Sequence, residues 1–156
     1  MPKTDDVRLH YEEAVASPLQ LRRGHLSVET RGKGFIDLTG TVGDWLKGAE
    51  AKEGLLTLFV RHTSASLAVQ ENTDPDVLAD LLDVLERLAP QGASYRHSLE
   101  GPDDMPAHVK AMLTTTSLSV PVVGGRLGIG TWQAIYLIEH RRAPHLRDIS
   151  LIFLGI

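Results

Sequence analysis

The chain has 156 residues, 42% of them hydrophobic and 23% charged, with sixteen Lys and Arg against twenty Asp and Glu for a formal charge of −4. That length supports one domain around a single sizeable core, and the acidic balance excludes nucleic acid as the main partner, because phosphate binding needs a basic stripe. The absence of cysteine excludes disulfides, thiolate metal sites and a cysteine nucleophile, so any metal here is held by His and oxygen ligands.

Residues 1 to 18 are charged, end at Pro18 and contain no apolar signal-peptide core; they predict an N-terminal arm ahead of a single domain over 19–156. No run approaches the ~20 apolar residues of a membrane span, so the expectation is a cytoplasmic protein with no membrane partner. Residues 20–31 and 34–39 read as strands joined by the Gly32-Lys33-Gly34 turn. Val42 to Ala49 reads as a short helix with Trp45 and Leu46 inward, followed by strands over 55–60 and 66–69.

The clearest helix is 75–89. Asp74 suits its N-cap and Pro75 its first position, while Val77, Leu78, Leu81, Leu82, Leu85 and Leu88 form one stripe at helical spacing that predicts a core-facing side. Residues 93–105 read as a long loop with Gly101-Pro102-Asp103-Asp104 as turn chemistry. A shorter helix over 106–113 follows, then strands near 117–123, 130–140 and 148–154. In the last of these, Ile149, Leu151 and Phe153 alternate with Ser150, Ile152 and Leu154, predicting that both faces are covered. Many strands with two or three helices, out of βαβ alternation, predict an α+β domain with a mostly antiparallel sheet.

The chemistry concentrates at segment ends, where a scaffold presents reactive groups. His62 closes an apolar strand, His97 lies in the long loop and His108 sits in the first turn of a helix. Three imidazoles around Zn²⁺ with an open position make a catalytic layout; the alternative is three unrelated surface or hydrogen-bonded histidines. In an extended chain His62, Ser64 and Ser66 share a face, which is either the polar floor of a site or a hydroxyl-rich turn. Asn72 and Asp76 fall where the long helix begins, able to meet Mg²⁺ or simply to complement the helix dipole. Thr131, Gln133 and Glu139 share a face of an otherwise apolar strand and need partners, whether a ligand or another subunit. Trp132, on the opposite face, reads as core.

Three stretches, VRHTSASLAVQENTDPDV, YRHSLEGPDDMPAHVKAML and SLSVPVVGGRLGIGTWQAIYLIE, together resemble the YjbQ-like family, named for secondary thiamine-phosphate synthase, over residues 19 to 156. The resemblance implies an α+β fold with a large, mostly antiparallel sheet, assembled as a homotrimer with sites near subunit boundaries. It implies catalytic roles for His62, His97, His108 and Glu139, with the three histidines as ligands of a divalent metal, Zn or Mg. It further implies Ser64, Ser66, Asn72, Asp76, Thr131 and Gln133 as substrate-binding residues for a small phosphorylated metabolite. The activity implied is a transferase that joins a pyrimidine methyl pyrophosphate to a thiazole phosphate. The same histidines also suit a metal-dependent hydrolase of a phosphate or ester, or a non-enzymatic trimer that binds metal or an anion.

Overall fold

A computed structural model describes residues 17–156; residues 1–16, with His10 and most of the expected arm, lie outside the described residues. Strand β1 (Gln20–Thr30) pairs antiparallel along its whole length with β8 (His145–Gly155), from Gln20 opposite Gly155 to Thr30 opposite His145. The other edge of β8 takes β3 (Gly54–Val60), which takes β5 (Ser117–Val123), which takes the two-residue β6 (Arg126–Leu127). A second sheet has β7 (Gln133–Glu139) at its centre, flanked by β2 (Gly34–Asp37) and β4 (Ala65–Glu71). Every named pairing is antiparallel, and with three helices this is the α+β fold expected.

The turn at Gly32–Gly34 therefore does not close a hairpin. It carries the chain from one sheet to the other, since β1 pairs with β8 while β2 pairs with β7. Inward residues of β8 (Ile149, Leu151, Phe153), β3 (Leu56, Leu58, Val60) and β7 (Ile135, Leu137) form the core. Residues 134–140 are buried without interruption, as a central strand covered on both faces should be. The last strand departs from expectation: among the described residues its outer face is open, with Ile152 and Leu154 exposed.

Helix α1 (Thr39–Gly48) starts earlier than the apolar pattern suggested, because Asp37 Oδ1 accepts the Thr39 N–H at 2.8 Å. Its Trp45 ring lies across β1 so closely that a Cβ at Gly24 would stand 2.3 Å from Trp45 Nε1, so Gly24 is required there. Helix α2 (Pro75–Leu88) has the expected cap, Asp74 accepting from Asp76 N at 2.9 Å, yet none of its residues is buried. Its apolar stripe is only half covered, so the helix is not the core element its periodicity suggested. It is pinned instead through Glu86, which accepts from Lys33 at 2.6 Å and from the buried Lys110 at 2.5 Å. Lys110 belongs to α3 (Asp104–Leu113), which lies beside β4. No helix among the described residues is long and apolar enough to cross a membrane.

Two polar arrangements tie the sheets together. Arg147 of β8 donates to both carboxylate oxygens of Glu139 on β7, from Nε at 2.7 Å and from Nη2 at 2.5 Å, and also to Ser64 Oγ at 3.0 Å. Thr30 Oγ1 and the Arg141 N–H complete the carboxylate's partners. Next to it, buried His140 shares a 2.8 Å hydrogen bond with Ser66 Oγ, which Thr114 Oγ1 meets at 2.6 Å.

Removing one partner of a buried ion pair strands the other charge. Glu139→Ala should therefore lower unfolding free energy by about 3–5 kcal/mol in urea titration, with Glu139→Leu/Arg147→Met recovering most of it. Burial, and after it the Lys110 charge, push the His140 imidazole down from 6.5 to about 4. Between those values the unfolded chain binds a proton that the folded chain does not, so stability is complete above pH 6.5 and falls as pH drops towards 4. His62, also lowered, adds a change of the same sign. From pH 7.5 to 5 the wild type should lose about 2 kcal/mol of this origin, and His140→Gln should flatten the slope.

Candidate functional site

Helix α3 opens with Asp104, and one turn later it carries His108, so carboxylate and imidazole face the same way. His108 Nε2 stands 3.2 Å from Asp104 Oδ2, and His97, brought in by the loop before the helix, places its Nε2 2.7 Å from the same oxygen. The two imidazole rings lie 5.5 Å apart, tilted by 59°. Among the described residues this is a group of three side chains whose ligand atoms all fall within 4.8 Å of one another. In a tetrahedral site with bonds of ~2.0–2.1 Å, ligand atoms stand about 3.3 Å apart, so these spacings are near what a metal needs.

Two of the three ligands, His108 and Asp104, are oriented from behind. The Thr63 carbonyl stands 3.1 Å from His108 Nδ1, the geometry of an N–H donor, which turns Nε2 towards Asp104. Asp104 is 2% exposed, and Arg141 bonds its Oδ1 through Nη1, leaving Oδ2 for the histidines. Arg141 is itself held by Asp103 Oδ2 at 3.3 Å and by the Glu100 carbonyl at 2.9 Å. Burial pushes the Asp104 carboxyl up, but the His97 hydrogen bond and the Arg141 charge outweigh it and hold it below the usual carboxylate range.

His62 lies nearby but outside this group. Its Nε2 accepts the Asp148 backbone N–H at 2.8 Å, so that nitrogen is occupied by the fold. Burial, then the Arg147 charge, lower its pKa, so the ring is neutral at pH 7 with its proton on Nδ1. It lines a hollow of about 300 Å³ together with Thr63, His108, Ala111, Met112 and Thr116.

The other expected site residues are placed differently. Glu139 is fully buried and bound to Arg147, Thr30 and the Arg141 amide, which leaves it structural rather than free to act as a base. Ser64 and Ser66 are buried too, Ser64 under Arg147 and Ser66 against His140 and Thr114. Asn72, Asp76, Thr131 and Gln133 lie at the far end of β4 and β7, where Glu71 faces Gln133, while Ala65 faces Glu139 at the histidine end. Six strand residues separate the two ends by about 20 Å, so within one chain they form no single pocket. There Asn72 Nδ2 caps the Thr131 carbonyl at 3.4 Å, and Gln133 Oε1 accepts the Gly130 N–H at 2.8 Å. Asp76 is exposed beside its helix cap, and Trp132 is 64% exposed rather than core.

Asp104 and Arg141 are the members that sequence reasoning missed. The signal for Asp104 was its four-residue spacing from His108, hidden because the helix was expected to start at Pro106, with Asp104 assigned to the preceding turn. Nothing local marks Arg141.

The chain matches the UPF0047 protein YjbQ-like family over residues 24–155. It is 50% identical over 125 residues to UPF0047 protein sll1880 of Synechocystis, covering 80% of this chain and 85% of that one. It is 44% identical to UPF0047 protein YjbQ of Salmonella typhimurium over 74% of this chain and 85% of the relative. Hypothetical protein APE1520 of Aeropyrum pernix superposes with a TM-score of 0.79 at 34% identity, covering 86% of this chain and 99% of that one. A YbjQ-like protein of unknown function from Sulfolobus solfataricus gives 0.82 at 25% identity, covering 89% and 100%. These relatives carry family names and descriptions of unknown function, and none carries a thiamine-phosphate synthase activity. The transferase expected from the resemblance is therefore corrected: it has no support among the relatives. Within one chain the buried serines and the ~20 Å separation leave no continuous polar floor along β4 and β7. By sequence and by fold, this chain belongs to the YjbQ-like UPF0047 family.

Proposed function

We propose that the chain binds one divalent transition-metal ion through His97 Nε2, His108 Nε2 and Asp104 Oδ2. The observation that carries this reading is the support behind two of the three ligands, the Thr63 carbonyl behind His108 and the Arg141 guanidinium behind Asp104, with His97 closing onto the same Asp104 oxygen. Surface groups that meet by chance lack such backing, whereas metal ligands are regularly oriented this way. Two imidazoles and one carboxylate suit zinc or another transition ion over magnesium, which takes oxygen ligands. An ion bound there would supply a Lewis acid. Arg141 offsets the Asp104 charge when the site is metal-free.

The homotrimer that the resemblance implies would give the half-covered α2 stripe its missing partner. Leu88 is 61% exposed and Val84 38%. We therefore read α2 as a contact between copies of this chain.

Isothermal titration with Zn²⁺ should give one site per chain, and removing one of three ligands in His108→Ala or Asp104→Asn should weaken it by about 100-fold or more. No zinc binding by the wild type would overturn the reading. Analytical ultracentrifugation should find a particle of three chains that Val84→Glu/Leu88→Glu reduces to one; an unchanged mass would remove α2 from the contact.

A further inference from the structure

The hollow between His62 and α3 has a chemistry that differs from the ion pairs around it. Its lining residues are His62, Thr63, His108, Ala111, Met112 and Thr116, with no Lys or Arg among them. Met112 is 89% exposed, projecting beside the hollow with no packing role for so large an apolar side chain. His108 belongs to both the hollow and the metal-binding group, so a molecule in the hollow lies against that group.

His62 lines the hollow with one ring nitrogen taken by the fold and the other left as a donor. Its Nε2 must accept, because the Asp148 backbone N–H points at it from 2.8 Å, and a neutral imidazole that accepts at one nitrogen donates at the other. Among the described residues the Nδ1 edge has no hydrogen-bond partner, unlike the ring nitrogens of His97 and His108 that face Asp104 and Thr63. Such a ring offers one N–H to an incoming oxygen.

We infer that this hollow receives a small monocarboxylate with a short hydrocarbon chain, its oxygen taking the His62 Nδ1–H beside the His97–Asp104–His108 group and its chain lying against Ala111 and Met112. The inference rests on the metal-binding reading, which supplies the positive charge the carboxylate meets. A phosphate group fits less well, because its second charge and its further oxygens find no cationic side chain in the lining. An apolar molecule without an oxygen would leave the His62 donor unpaired, at a cost.

The test uses the full chain loaded with Co²⁺, whose visible ligand-field bands report what touches the ion. Titration with Co²⁺ alone comes first: absence of binding overturns the metal reading, and with it this inference, before any carboxylate is added. With cobalt bound, butyrate should perturb the bands at a concentration about five- to tenfold below acetate, the gain expected from partly burying two methylenes. Inorganic phosphate should act more weakly than acetate. Loss of one hydrogen bond to a charged oxygen in His62→Ala should weaken both carboxylates by about tenfold or more, with His62→Gln recovering part and cobalt stoichiometry staying at one. Met112→Ala, a change at an exposed position, should bring the butyrate value towards that of acetate. Phosphate binding more tightly than butyrate, equal values for acetate and butyrate, or carboxylate affinity unmoved in His62→Ala would each overturn the inference while leaving the metal site standing.

Discussion

Glu139 and Arg147 are both buried, and they stand on strands of different sheets. Two charges removed from water repay their desolvation only with close geometry and further hydrogen bonds, and here Thr30, Ser64 and the Arg141 amide supply them. The pair fixes how β7 and β8 cross, and three site features follow from it. The Arg141 backbone bonds Glu139 Oε1, which aims the Arg141 side chain back towards Asp104. The strand that carries Arg147 presents the next N–H, that of Asp148, to His62. Ser64, held by Arg147, anchors the segment whose neighbour Thr63 turns its carbonyl to His108. One interior ion pair thus sets the positions of a surface group.

The His97–Asp104–His108 group shows how a short helix can do work that a long one does not. Helix α2 has the stronger amphipathic pattern, yet it buries none of its residues, leaves its apolar stripe half open and is tied to the domain by the Glu86 ion pairs. Helix α3 has the weaker pattern but buries Asp104, Ala107, Lys110 and Ala111, and so it is fixed on β4 with His108 on its outer side. Rigid support of this kind is what holds ligand atoms in place.

The sequence made most of the fold legible because strands and helices differ in period. The Asp74-Pro75 start of α2 was readable from local chemistry alone. Sheet assignment was not: nothing within residues 20–39 says that β1 and β2 pair with strands about 100 or more positions away in different sheets. The exposed face of β8 and the open side of α2 read as core because apolar spacing reports a preference for burial, and one chain does not supply all the cover. At the site, His97 and His108 were legible as polar residues at segment ends. His62 was legible as important, but its role was not, because a hydrogen bond from Asp148, 86 positions away, decides which nitrogen is engaged. Glu139 was legible as a carboxylate in need of a partner, but the partner was not, for the same reason. Its partner Arg147 lies on another strand, across a tight connection.

In the proposed site two histidines and one aspartate, rather than three histidines, hold the ion. X-ray absorption spectroscopy on zinc-loaded protein counts imidazole ligands directly. Two imidazoles with oxygen in the remaining positions, unchanged in His62→Ala, is the predicted result. Three imidazoles, falling to two in that variant, would place His62 in the coordination sphere and contradict the claim.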